Sequence, residues 1–142
     1  RINHINKIAA GQSVGYSWTW TAKKETLLAS IPIGYADGVD RGLSNRMQGL
    51  LMGKKINQVG RISMDQMLFD ITDVPEAQEG DVITLIGSDN EIAKNEIAKK
   101  STSAQTTLTL SQWAETLDTI TYELACRLRT RLPRVYTRTK QK

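Results

Sequence analysis

A chain of 142 residues is long enough for one hydrophobic core that buries roughly two-thirds of its unfolded surface, and 39% hydrophobic with 24% charged residues is a globular balance. No apolar run approaches the roughly 18 residues of a membrane span, so a soluble domain without a membrane partner is expected. The net charge of +4 invites a phosphate backbone as partner, but five of the 19 basic residues sit in the last stretch from Arg131, where solvated charge is the ordinary explanation, so no nucleic-acid partner is expected.

From the start to about residue 88 the signals are those of strands. Tyr16-Ser17-Trp18-Thr19-Trp20-Thr21 alternates aromatic and small polar residues, which on a pleated strand puts Tyr16, Trp18 and Trp20 on one face. Thr26 to Ile33 is short, apolar and followed by Gly34, which predicts a buried strand that Pro32 confines to an edge or a bulge. Gly34 to Met47 holds the turn-forming groups Ala36-Asp37-Gly38 and Ser44-Asn45-Arg46 and reads as a loop. Leu50-Leu51-Met52 and Ile56 to Val59 predict a hairpin across the three-residue connection Gly53-Lys54-Lys55. Two more strands are predicted over Arg61 to Ile71 and Asp81 to Ile86, joined through Pro75 and Glu79-Gly80.

After residue 90 the period changes. Leu110, Trp113, Ala114 and Leu117 recur at helical spacing, and Thr109 stands three residues before Gln112 in a capping-box pattern. A second helix is predicted from about Thr119, with Ile120, Leu124 and Leu128 on one stripe and Pro133 beyond its end. The polar stretch Lys99 to Thr107 reads as a mobile insertion. The fold class is therefore mainly β: an antiparallel, barrel-like sheet with a small helical segment near the C-terminus, treated as one domain over residues 1–142.

No self-contained catalytic constellation is present: no glycine-rich phosphate loop, no nucleophile elbow, no His beside a candidate Ser and no metal-ligand spacing of carboxylates. The single cysteine, Cys126, cannot close an internal disulfide, and with His4 as the one histidine no zinc cluster can form, so no metal and a reducing, cytoplasmic setting are expected. The first residues carry neither a start methionine nor a secretory core, and the chain reads as a piece of something longer. On the residues alone this is a binding domain or one half of a site.

Five blocks sharpen that reading: Val14-Gly15-Tyr16-Ser17, then Pro32-Ile33-Gly34-Tyr35-Ala36-Asp37-Gly38-Val39-Asp40-Arg41, then Val59 to Gln66 (VGRISMDQ), then Ile120-Thr121-Tyr122-Glu123, then Arg131-Leu132-Pro133-Arg134. In this order and spacing they resemble the C-terminal domain of bacterial alanine racemases, whose members carry Ser-Tyr-Gly-like, Ile-Gly-Tyr-Ala-Asp-Gly, Gly-Arg-Cys-Met-Asp-Gln, Asn-Tyr-Glu and Arg-Val-Pro-Arg blocks. Two departures stand out. Gly15 and Ser17 flank the tyrosine in the reverse of the usual order, and Ser63 stands where cysteine is common.

The resemblance implies an enzyme that interconverts L- and D-alanine and supplies D-alanine for the bacterial cell wall. It implies pyridoxal 5'-phosphate held as a Schiff base by a lysine of an N-terminal barrel that this chain lacks, and a homodimer in which the C-terminal domain completes the partner subunit's site. The cofactor is an electron sink that acidifies the substrate Cα–H, so a proton acceptor is needed on each face of Cα. By resemblance one of these is Tyr16. A phenol is a weak base unless a cation or donor favours its phenolate, so that help is expected from the absent barrel.

Resemblance further implies Met64 as the residue whose backbone N–H takes the substrate carboxylate, Tyr35 as a gate, and Tyr122 as a hydrogen-bond donor to the cofactor phosphate near a helix start. It also implies Arg41, Arg61, Ile120 and Arg134 as residues of an entrance corridor that attracts the carboxylate. Asp37 and Asp65 lie in turn-like contexts where capping competes with chemistry. Other readings stay open: the same fold acting on serine or a basic amino acid, or a basic barrel binding single-stranded nucleic acid on the face of Tyr16, Trp18 and Trp20. The isolated domain is expected to be inactive.

Overall fold

Apolar side chains alternate along the central strands with opposite phases on the two faces of one sheet, and that decides the architecture. The computed structural model describes residues 1–88, 107–128 and 131–135. Five strands, β1 (His4–Ile8), β4 (Thr26–Ile31), β5 (Gln48–Leu51), β6 (Lys54–Val59) and β7 (Met67–Asp70), form a sheet in the order β1-β4-β7-β6-β5. Every neighbouring pair in it is antiparallel. Two small pairs accompany it, β2 (Ser13–Val14) with β3 (Trp20–Thr21) and β8 (Gly87–Ser88) with β9 (Thr107–Leu108). The sheets are antiparallel and not closed, a barrel-like arrangement with β1 and β5 as the outer strands of the main sheet and Thr84 bridging Leu50 on the outer side of β5.

On one face Ala29, Ile31, Ile56, Met67 and Phe69 pack with Trp113, Ala114 and Leu124 of the helices. On the other, Ile8, Leu28 and Val59 pack with Ala22, Val14 and Trp20 around the β2–β3 hairpin. Both faces are thus covered, which is why β4 reads as a continuous apolar run rather than an alternating one. β4 lies in the middle of the sheet and ends at Ile31, directly before Pro32. The predicted edge position is corrected: proline ends the strand, and its missing N–H is spent outside the ladder.

The hairpin between β5 and β6 is tighter than predicted. Its turn is Met52-Gly53, both at positive φ (50° and 79°), and Lys54 and Lys55 already pair with Leu51 and Leu50. Two left-handed residues match the twist of the flanking strands, whereas a three-residue loop needs a bulge. The predicted strand over Arg61 to Ile71 shrinks to Met67–Asp70, and Asp81 to Ile86 forms only a bridge between Thr84 and Leu50.

Helix α1 (Leu110–Leu117) has the predicted box: Thr109 Oγ1 accepts from the Gln112 N–H at 3.4 Å, and Gln112 Oε1 accepts from the Thr109 N–H at 2.8 Å. It ends on Asp118 in the left-handed region, φ 53°. Helix α2 (Thr121–Arg127) follows, but of the predicted stripe only Leu124 is buried; Ile120 is its exposed cap residue. The polar stretch read as an insertion lies outside the described residues up to 106, and Thr107 itself opens β9.

Candidate functional site

The predicted strand through Tyr16 is overturned. β2 stops at Val14, Tyr16–Trp18 is a single 3-10 turn at the hairpin tip, and the chain regains strand only at Trp20. Gly15 (φ 74°), Ser17 (φ 59°) and Trp18 (φ 49°) all lie at positive φ, which an extended strand does not allow. Tyr16 and Trp18 are consequently exposed, Tyr16 at 68%, while Trp20 packs into the small core, so the three aromatics share no face and the stacking platform of the nucleic-acid reading is absent. The reversed Gly-Tyr-Ser order now has a reason on one side. A side chain at position 15 would press on the Arg61 N at 3.0 Å and the Gly60 Cα at 3.3 Å, so glycine is required where the Tyr16 turn crosses the next loop.

That next loop is fixed from beneath by residues the sequence reading missed. Gln58, buried at the inward phase of β6, donates to the carbonyls of Val59 and Gly60 at 3.0 Å each and accepts from the Asn45 N–H at 2.7 Å. Asn45 in turn accepts from the Gly60 N–H at 2.6 Å and donates to Thr19 Oγ1 at 3.3 Å. A polar residue at a core phase of a strand, two positions after Ile56, was the available signal. The network ties Arg61 and the Tyr16 turn to one support.

Tyr35 opens a 3-10 turn, Tyr35–Asp37, pressed against the Ser63-Met64 backbone. The Tyr35 N–H donates to the Ser63 carbonyl at 3.0 Å and the Ala36 N–H to the Met64 carbonyl at 3.1 Å. A Cβ on Gly34 would lie 2.5 Å from the Met64 carbonyl carbon, so only glycine lets the two backbones meet. Tyr35 and Met64, predicted together, are therefore joined through main chain, and the Met64 N–H has no partner among the described residues. Ser63 spends its hydroxyl on Gln66, accepting from its N–H at 3.1 Å and donating to its carbonyl at 2.8 Å.

Tyr35 and Arg41 line one cleft of about 390 Å³ with Val39, Asp40 and Arg127. Ile120 and Tyr122 stand exposed at the start of α2, Tyr122 at 79%, and Arg134 is exposed and donates to the Leu128 carbonyl at 3.0 Å. The α2 region is bound to the rest by Arg127, which the sequence reading passed over, and by Arg131, which it quoted in a block without a role. Arg127 pairs with Asp40 and, at 2.6 Å, with Glu123. Arg131 pairs with Asp65 at 2.9 Å and with the buried Asp37 at 3.4 Å. The hydrogen bond to Asp65 first, and then the charge of Asp37, raise the Arg131 pKa from its ordinary value.

No hydrogen bond joins the hydroxyl of Tyr16, Tyr35 or Tyr122 to another described residue. Among the described residues no cluster of three or more His, Cys, Asp or Glu is placed to hold a metal, and no helix is long and apolar enough to cross a membrane.

Fold and site together define a mainly β domain that presents phenols, arginines and the Met64 backbone amide on loops, with no closed catalytic centre among the described residues. The chain belongs to the alanine racemase C-terminal domain family, whose model matches residues 1–136. It is 42% identical over 135 residues to the alanine racemase of Nostoc sp., covering 95% of this chain and 31% of that protein. Over 91 residues it is 48% identical to the alanine racemase of Acidiphilium cryptum, covering 64% of this chain and 26% of that one. Among solved structures it matches alanine racemase from Streptomyces lavendulae at a TM-score of 0.80 and 32% identity, over 97% of this chain and 32% of that one. The Bartonella henselae alanine racemase, described with covalently bound pyridoxal phosphate, matches at 0.79 and 32% identity, over 96% of this chain and 33% of that one. The chain thus spans about a third of the length of these relatives.

Proposed function

We propose that this chain is the C-terminal part of an alanine racemase and supplies one wall of an active site completed by an N-terminal barrel of the partner subunit. The observation that carries this is the exposed set formed by the Tyr16 hydroxyl, the Tyr122 hydroxyl and the Met64 N–H, unpaired among the described residues, in a domain that spans a third of its relatives. Polar groups that a fold leaves unpaired on rigidly supported loops are available to a ligand.

The donor set of this chain fits one edge of pyridoxal phosphate: Tyr122 can donate to a phosphate oxygen, while the Schiff-base lysine belongs to the barrel. When bound, the cofactor draws electrons from the substrate and makes its Cα–H acidic. Tyr16 then takes or returns the proton at one face of Cα through its hydroxyl oxygen, its turn held in place by Gly60 and the Gln58 network. Met64 offers its N–H to the substrate carboxylate, and Tyr35, locked to it through the main chain, narrows the space beside that carboxylate. Arg41, Arg61 and Arg134, with Ile120 at the rim, line the approach and draw an anionic substrate inward.

The test uses the full-length protein. Tyr16→Phe is expected to cut racemisation of L-alanine by roughly 10²-fold or more while the Schiff-base absorbance persists, the size of a lost general base. Normal turnover would refute the assignment. Turnover of L-serine and L-lysine measured beside L-alanine checks the substrate, and L-alanine failing to rank first would refute that part.

A further inference from the structure

Asp37 is nearly buried, 5% exposed, on the turn that carries Tyr35. One of its oxygens accepts from the Gly34 N–H at 3.0 Å, and the other faces Arg131 Nε at 3.4 Å. The same guanidinium donates from a terminal nitrogen to Asp65 at 2.9 Å, and Asp65 directly follows Met64. One planar cation therefore spans two carboxylates on two different loops, and those loops carry the proposed substrate wall.

We propose that Arg131 is a positioning residue for substrate binding: it holds the Tyr35 turn against the Met64 loop and so fixes the Met64 N–H relative to Tyr35. The two loops already meet through main-chain bonds at Ser63 and Met64, and Arg131 closes the arrangement from the side of the carboxylates. The Arg131 and Asp65 side chains are 54% and 61% exposed, where an ion pair adds little to stability. What the bridge contributes is geometry. A guanidinium presents separate donors in a rigid fork, whereas a lysine ammonium is a single point charge on a flexible stem and cannot hold both carboxylates at these positions.

The inference rests on the reading of Met64 and Tyr35 given above, and its test keeps the two apart. In the full-length enzyme, Arg131→Lys, Asp65→Asn and their combination are compared with Tyr16→Phe. Arg131→Lys is expected to raise KM for alanine at least five-fold with kcat within two-fold and the melting temperature within about 2 °C, because removing binding geometry alone moves KM. Asp65→Asn shifts KM in the same direction, and the double variant is no worse than Arg131→Lys alone, since both remove one contact. KM unchanged in Arg131→Lys, or KM, kcat and melting temperature all shifting together, overturns the positioning role. If Tyr16→Phe abolishes turnover while Arg131→Lys leaves KM unchanged, only this inference fails. If Tyr16→Phe racemises normally, the shared-site reading and this inference fall together.

Discussion

Replacing Gly34 by alanine isolates the cost of the closest backbone approach in the molecule's proposed substrate wall. Gly34 has φ −149°, a value any residue adopts, so the penalty is steric and not conformational. The new Cβ would lie 2.5 Å from the Met64 carbonyl carbon, and ordinary contact begins at 3.4 Å, so the loops must part by about 0.9 Å or more. That separation stretches the 3.0 and 3.1 Å bonds from Tyr35 and Ala36 beyond hydrogen-bonding range. Two lost bonds at about 1 kcal/mol each, with about 1–3 kcal/mol of overpacking, give about 3–5 kcal/mol. In a domain of this size that lowers the melting temperature by roughly 10 °C or more. Gly42→Ala is the control, because its Cβ would meet the tip of the Leu117 side chain at 2.8 Å, which can move aside. Thermal melts of both variants in the full-length protein, with KM for alanine, provide the assay. Gly34→Ala melting within 2 °C of Gly42→Ala, with unchanged KM, would refute the steric argument.

Phe69→Ala empties the centre of the helix-side core, where Phe69 is fully buried, and is expected to cost about 3–5 kcal/mol in denaturant unfolding. Gln58→Ala strands the Asn45 N–H and two carbonyls, and about 2–4 kcal/mol of destabilisation is expected, with the midpoint of a urea titration as readout; a loss below about 1 kcal/mol would show that the network is dispensable. Thr84 keeps a buried hydroxyl without a hydrogen-bond partner among the described residues, so Thr84→Val is expected to stabilise by about 1 kcal/mol, and a lower melting temperature would contradict this.

Periodicity made the helices legible. Thr109 and Gln112 mark the start of α1 because capping is a local interaction, readable at a separation of three residues. Apolar content and turn residues likewise located β4, β6 and β7, but not the extent of β4 and β7, because Pro32 ends β4 and the Ser63–Gln66 turn delays β7 where composition alone would continue the strand. Tyr16 was misplaced because aromatic alternation imitates a strand, while Ser17 and Trp18 are left-handed and Gly15 before them packs against a loop some forty-five residues away in sequence. The family blocks gave roles to Tyr16, Tyr35, Met64 and Tyr122; they contain Arg131 without giving it a role, and Gln58 lies just outside them. The partners of both are distant in sequence, and a local pattern does not report partners.

The two faces of the main sheet are unequally supported, and that inequality sets a hierarchy of local opening. Among the described residues, eighteen buried side chains tie the helix side together, including Val39 and Ile62 near the proposed substrate wall, whereas four hold the β2–β3 hairpin. Amides that lace the hairpin, such as Ala22 bonded to the Gln12 carbonyl at 2.9 Å, exchange with solvent through a smaller fluctuation than those of β4 and β7. The proposed proton acceptor thus stands on the part of the domain that a docking partner would most easily remodel, while the proposed substrate wall stands on the part that yields last.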